Sequence, residues 1–291
     1  MDSVVASPVQ VVEAADSIAD PVMRVAGLRV AFETDHGPVQ AVDGVDLDLY
    51  PGRIHALVGE SGSGKSVTGS TMMGLVHGRG TTIEGSIEFG RANLLDADEK
   101  AMRRLRGREL SMVFQDPMRS LNPMHRVGRQ IAETLEINAG CSRREAADRA
   151  VEMLAAVGIR DPKTAARAYP HEFSGGMRQR VMIAIALACE PQVLVADEPT
   201  TALDVTIQAQ ILTLMAEMAR SMNTAVLLIT HDLGVVGKYA DSVSVMNRGK
   251  ILESGSCAAV LHNPQDPYTK RLMAAIPRLR GPKRKFLSAP A

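Results

Sequence analysis

The run Gly59-Glu60-Ser61-Gly62-Ser63-Gly64-Lys65-Ser66 constrains the fold of this chain more than any other stretch. Two glycines at fixed spacing followed by Lys and Ser form the pattern of a phosphate-binding loop. In such a loop, backbone N–H groups at a helix N-terminus cradle phosphate, the Lys neutralises its charge, and the Ser hydroxyl meets Mg²⁺. The contacts expected here are Gly59, Glu60, Ser61, Gly62, Ser63, Gly64, Lys65, Ser66 and Val67. The loop needs a strand before it and a helix after it. Ile54-His55-Ala56-Leu57-Val58 supplies the strand, and helical character from Lys65 to about residue 76 supplies the helix.

A strand feeding a loop and a helix belongs to an α/β fold, and two further runs fit its sheet. Val193-Leu194-Val195-Ala196 and Ala225-Val226-Leu227-Leu228-Ile229 are unbroken apolar stretches, as expected of parallel strands covered on both faces. The amphipathic stretch 205–222 lies between them as a crossover helix. Residues 22–50 instead alternate, with Gly27, Gly37-Pro38 and Gly44 as punctuation, and predict a small antiparallel sheet that residues 86–89 join. Residues 116–169 have helical periodicity, most clearly over 127–138 and 143–157, and predict a helical lobe inserted in the α/β core.

Composition limits the alternatives. There is no Trp and aromatic residues make up only 3%, so the core must be built from Leu, Ile, Val, Ala and the sixteen Met, which read as gap fillers. Lys plus Arg and Asp plus Glu balance at 33 each, which argues against nucleic acid as a main partner. The three cysteines, Cys141, Cys189 and Cys257, follow no metal or disulfide spacing and read as buried inert thiols. The first 21 residues carry Glu13, Asp16 and Asp20 without a basic start and read as a flexible tail, not a secretory signal. The apolar run 181–189 falls well short of the roughly 20 residues of a membrane span.

The run Val193-Leu194-Val195-Ala196 leads into Asp197-Glu198. That is where a phosphate-loop enzyme holds Mg²⁺ on a carboxylate, here Asp197, and where Glu198 can deprotonate an attacking water. Ser174-Gly175-Gly176 stands at the start of the apolar helix that runs through 181–189. By itself Ser174 reads as an ordinary N-cap; its exposed N–H groups also suit a second anion.

Taken in order, the phosphate loop, Gln115, Ser174-Gly175-Gly176, Asp197-Glu198, Ala202-Leu203-Asp204 and His231 resemble the ATPase cassette of ABC transporters across residues 22–257. Three further features narrow the resemblance to importers of oligopeptides, dipeptides and nickel. They are Gln115-Asp116-Pro117-Met118 with Ser120-Leu121-Asn122-Pro123, the run from Phe173 through Arg180, and Asn263-Pro264 with Pro267-Tyr268-Thr269. Met177 stands where the general family has Gln, as is common in the peptide-importer branch.

The resemblance implies an α/β P-loop NTPase cassette over 22–258, with an antiparallel β subdomain and an inserted helical subdomain at about 116–180. A short peptide-importer-type extension follows over 259–291. It implies ATP and Mg²⁺ as cofactors, and no iron–sulfur cluster, because the cysteine-rich tail of some relatives is absent from this sequence. Two cassettes, identical or paralogous, pair head to tail, so that ATP on one phosphate loop faces Ser174, Gly175 and Gly176 of the other. Lys65, Gln115, Glu198 and His231 are then catalytic, Gln115 also senses Mg²⁺, and Asp204 crosses the interface. Phe32 either stacks on adenine or belongs to the small sheet's core.

The other partners implied are two transmembrane permease subunits and an external solute-binding protein, with the chain peripheral on the cytoplasmic face of the inner membrane. The basic stretch 278–285 reads as a solvated tail, with contact to a partner or an anionic membrane surface as the alternative. Two rival readings are a soluble ABC ATPase of translation or DNA maintenance, and a catalytically silent nucleotide-binding regulator. The intact Lys65, Glu198 and His231 oppose the second.

Overall fold

The structure, a computed structural model, describes residues 20–116, 120–200 and 204–275. Most of the expected N-terminal tail, Pro117 and Met118, Ala202 and Leu203, and the basic stretch 278–285 lie outside the described residues.

Strands β1 (Met23–Thr34) and β2 (Gly37–Leu49) form an antiparallel pair in which Met23, Val25, Leu28 and Val30 turn inward and Arg24 and Arg29 outward. Gly27 sits at φ 57° where the β1–β2 register shifts between Val25 and Leu28, so the inward alternation resumes on the correct face. β4 (Thr81–Phe89) and β5 (Ala92–Asn93) complete a four-stranded sheet in the order β2-β1-β4-β5.

The second sheet follows a different logic. All five side chains of β3 (Ile54–Val58) and all six of β8 (Ala225–Thr230) are buried. Burial on both faces is what unbroken apolar runs require. Along β8, Val226 and Leu228 join a core on the helical side, while Ala225, Leu227 and Ile229 join one shared with the antiparallel sheet. With β6 (Leu110–Val113), β7 (Val193–Asp197), β9 (Ser242–Asn247) and β10 (Lys250–Ser256), the order is β10-β9-β3-β8-β7-β6. Its β9, β3, β8, β7 and β6 run parallel, and β10 closes the edge antiparallel to β9.

The helices cover this sheet. They are α1 (Lys65–Met72), α2 (Glu99–Leu105), α3 (Val127–Asn138), α4 (Arg143–Ala156), α5 (Pro162–Ala165), α6 (Gly175–Leu187), α7 (Val205–Ser221), α8 (Leu233–Tyr239), α9 (Cys257–His262) and α10 (Pro267–Ala275). α3 and α4 form the expected helical lobe, and Ser142 and Glu145 close a reciprocal capping box at the start of α4. Several methionines fill the cores as expected, among them Met23, Met72, Met182, Met215 and Met246.

Three details differ from the sequence reading. α1 ends at Met72, not near residue 76, because Gly74 takes φ 60° and stops the helix. β5, β6, β9 and β10 are additional strands, and α2, α8, α9 and α10 additional helices. Cys257 is buried, with its thiol pushed up to about 11 by burial, but Cys141 and Cys189 are only half-buried. His55 is a polar side chain inside a wholly buried strand. Its Nδ1 meets Ser242 Oγ at 2.7 Å and its Nε2 meets Ser244 Oγ at 2.9 Å, while Ser244 meets Ser254 Oγ at 2.9 Å. Burial lowers its pKa to about 4, with Asp48 weakly opposing, so the ring is neutral at ordinary pH.

Candidate active site

Four adjacent parallel strands, in the order β3-β8-β7-β6, end on the same edge of the sheet. The residues that follow those ends are the phosphate loop after β3, His231 after β8, Asp197 and Glu198 at the end of β7, and Gln115 just past β6. The carboxyl edge of a parallel sheet is where α/β proteins bind ligands. Topology therefore gathers residues as much as 172 positions apart in the chain, Gly59 to His231.

The phosphate loop lies flush against neighbouring backbone. A Cβ on Gly59 would collide with the carbonyl of Met246, and one on Gly64, at φ 107°, with the carbonyl of Ala41. Only glycine fits at either place. At Gly62, φ 78°, the direction of a Cβ is open. Gly64 is also the N-cap of α1 and offers no capping side chain, so the first-turn N–H groups are left to bind an anion.

Lys65 is only 5% exposed, and its Nζ donates to the carbonyls of Gly59 and Glu60, both at 2.8 Å, and to Ser63 Oγ at 3.3 Å. Burial lowers its pKa, while the charges of Glu198 and Asp197 act in the opposite direction. Asp197 is raised, chiefly by burial and further by Glu198, against the Ser66 hydrogen bond and the charge of Lys65. Partial burial thus makes the Asp197 carboxylate favour added positive charge.

Glu198 is held from two sides. Gln115 Nε2 donates to its Oε2 at 2.9 Å, and His231 Nδ1 lies 3.1 Å from its Oε1. Its backbone is at φ 44°, a left-handed conformation that a non-glycine residue rarely takes, and its N–H donates to the carbonyl of Ile229 at 2.9 Å. That local strain turns the side chain past the strand end, toward the other site residues. Its side chain is 20% exposed and that of His231 62%, so the carboxylate remains open to water.

Ser66 Oγ donates to Asp197 Oδ1 at 3.0 Å. Among the described residues no three His, Cys, Asp or Glu side chains cluster for a metal. A magnesium site of this type does not need one, because Mg²⁺ takes one or two protein oxygens and completes its shell with phosphate and water. The Ser66 hydroxyl and the Asp197 carboxylate fit that demand.

The remaining expected site residues stand apart. Ser174 caps α6, its side chain accepting from Met177 N–H at 3.3 Å, and Gly176 lets α6 approach Ile207 of α7. Asp204 caps α7, accepting from Ile207 N–H at 2.9 Å. Among the described residues, no hydrogen bond joins Ser174, Gly175, Gly176 or Asp204 to the Lys65–Glu198 group. Phe32 is half-buried in β1, opposite Val39 and Thr81, and packs against the core of the antiparallel sheet.

One residue was missed by the sequence reading. Asp232, next to His231, caps α8 through the N–H groups of Gly234 and Val235 and accepts from Gln208 Nε2 at 3.3 Å, which fixes the loop that carries the histidine. An Asp directly before an apolar helical stretch was the available signal.

A model described as ABC transporter matches residues 42–201. The chain belongs to that family. A second model, described as the oligopeptide/dipeptide transporter C-terminal region, matches residues 252–290. This ABC cassette is 51% identical over 261 residues to the dipeptide transport ATP-binding protein DppD of Bacillus subtilis, covering 89% of this chain and 78% of that one. It is 48% identical over 272 residues to the oligopeptide transport ATP-binding protein OppD of Salmonella typhimurium, covering 94% and 81%. Its fold is similar to that of the ATP-binding cassette MJ0796 in a dimeric post-hydrolysis state bound to ADP and Pi, with TM-score 0.71 and 24% identity over 81% of this chain and 98% of that one. As a family member the cassette is a transport ATPase. No described helix is long and apolar enough to cross a membrane.

Proposed function

We propose that this cassette is one of two that power uptake of peptides, or of a related small solute such as nickel, through an ABC importer. Support for the solute class comes from the match of residues 252–290 to the oligopeptide/dipeptide transporter C-terminal region, together with relatives named for dipeptide and oligopeptide transport. The observation that carries the chemistry is Glu198 held between Gln115 and His231 beside the phosphate loop.

The phosphates of ATP lie on the loop 59–66, where backbone N–H groups and Lys65 balance their charge. For this, Lys65 must share or leave the carbonyls of Gly59 and Glu60. Magnesium held by Ser66 and Asp197, with Gln115 nearby, supplies further neutralisation when bound. Glu198 accepts a proton from the water that attacks the γ-phosphate, since its carboxylate is partly exposed and aimed by two neighbours. His231 steadies Glu198 and contacts the γ-phosphate, and Phe32 stacks on adenine.

Ser174, Gly175 and Gly176 lie outside that group and act across a dimer interface, on the ATP of the second cassette, which Asp204 also meets. A helix start with a Ser cap and two glycines suits an anion brought to it by a partner. The cassette works on the cytoplasmic face of the inner membrane, docked on two permease subunits that receive solute from an external binding protein.

The test is ATP hydrolysis by the purified complete transporter with its binding protein, in the presence of candidate solutes. Stimulation by di- or oligopeptides is expected. Stimulation only by an unrelated solute would overturn the assignment.

A further inference from the structure

Pro267-Tyr268-Thr269 opens α10, and its central and last residues are the buried part of that helix, Tyr268 at 8% and Thr269 at 1% exposed. The Tyr268 ring shares a core with Val58, the last residue of the strand that feeds the phosphate loop, and with Leu233 and Val245. Its hydroxyl oxygen accepts from the backbone N–H of Glu60 at 3.4 Å, a contact between residues 208 positions apart.

Glu60 is the residue around which the loop is folded. Its carbonyl accepts from Lys65 Nζ at 2.8 Å and from the N–H of Ser63 at 3.2 Å. Its two backbone polar groups are thus held by different parts of the chain, the N–H by the C-terminal extension and the carbonyl by the loop's own Lys and turn. The extension is itself fixed at its base. The Glu253 carboxylate of β10 accepts from Gln265 N–H at 2.7 Å and Asp266 N–H at 3.2 Å, and Asp266 accepts from the Tyr268 N–H at 2.7 Å. The Arg271 guanidinium lies 5.9 Å from the centre of the tyrosine ring, which restrains the ring further. A cavity of about 350 Å³, lined by Glu60, Tyr268, Arg271 and Leu272 among others, lies between the loop and α10, and Tyr268 spans beside it to Glu60.

We propose that Tyr268 is a positioning residue for nucleotide binding. Its hydroxyl holds the Glu60 peptide so that Lys65 and the loop N–H groups are set for phosphate, and through it the C-terminal extension sets the cassette's ATP affinity. The inference rests on the reading that residues 59–66 bind ATP. Tyr268 acts through Glu60, so it bears on affinity and not on the bond-breaking step.

The experiment measures Mg-ATP binding by the full-length chain, and ATP hydrolysis by the complete transporter, for wild type, Tyr268→Phe and Glu253→Ala, with Lys65→Ala as control. Tyr268→Phe keeps the ring and removes only the hydroxyl. The expected result is a Kd and KM for ATP raised about threefold to tenfold, the scale of one lost hydrogen bond. kcat at saturating ATP and the melting temperature should stay near wild type. Glu253→Ala, which frees the base of the extension, should reproduce the affinity loss. Wild-type affinity in Tyr268→Phe overturns the inference, and so does a loss in that variant confined to the melting temperature. If wild type itself binds no ATP, or Lys65→Ala binds as wild type does, it is the phosphate-loop reading that fails.

Discussion

Gln115 Nε2 donates to Glu198 Oε2 at 2.9 Å, joining the end of β6 to the end of β7 across 83 residues of sequence. The bond fixes one carboxylate oxygen while His231 meets the other. Removing the amide in Gln115→Ala takes away the hydrogen bond to Glu198 Oε2. kcat should fall about tenfold, toward the low end for a bond to a charged group because the carboxylate also meets water. ATP affinity should change little. Titration of ATP binding beside steady-state hydrolysis separates the two effects, and an affinity loss with unchanged kcat would assign Gln115 a different role.

Lys65→Ala removes the cation at the centre of the loop. The loss of one preorganised charge-stabilising donor costs about 10²-fold or more in turnover. Hydrolysis or nucleotide affinity should drop accordingly, while the melting temperature of the apo chain should change little, since among the described residues the hydrogen bonds of Lys65 Nζ go to loop atoms. Isothermal titration with Mg-ATP checks the first part and a thermal melt the second.

Ser174→Arg places a bulky cation at the start of α6, away from the Lys65–Glu198 group. Hydrolysis by the assembled transporter should be lost, while the isolated chain should still bind ATP with wild-type affinity. Loss of ATP binding by the isolated chain would contradict a site shared between two cassettes.

Much of this was legible in the sequence, because the legible parts are set by local chemistry. The glycines at 59 and 64, the apolar runs that became β7 and β8, and the helix Val127–Asn138 all carry their signal within a few residues. β9 was not legible, because its inward Ser242 and Ser244 read as polar interruptions until His55, nearly 190 residues earlier, satisfies them. β6 is four residues long and includes a buried Ser111, too little to carry a period. The same limit applies to the site. Residue types and order pointed to Glu198, but that Gln115 and His231 grip opposite oxygens of its carboxylate, and that Tyr268 reaches Glu60, depends on strand order and long-range packing.

His55 gives the fold a specific acid sensitivity. Burial lowers its pKa to about 4 from an unfolded value near 6.5, so the unfolded chain binds the extra proton between those values. The stability it contributes is fully present above pH 6.5 and is lost as pH falls toward 4. Between pH 7 and pH 4.5 the loss from this group is about 2 kcal/mol. Urea unfolding of wild type and His55→Gln at both pH values checks this. The variant should lose less stability than wild type over that interval, and equal losses would contradict it.

The role of Glu198 is tested most directly by ATP hydrolysis and ATP binding measured together in Glu198→Gln. The amide keeps the shape and the neighbours of the carboxylate but cannot take a proton from water. Hydrolysis should fall at least about 10²-fold, the lower range for a general base, with Mg-ATP bound as tightly as by wild type. Turnover at the wild-type rate would contradict the mechanism.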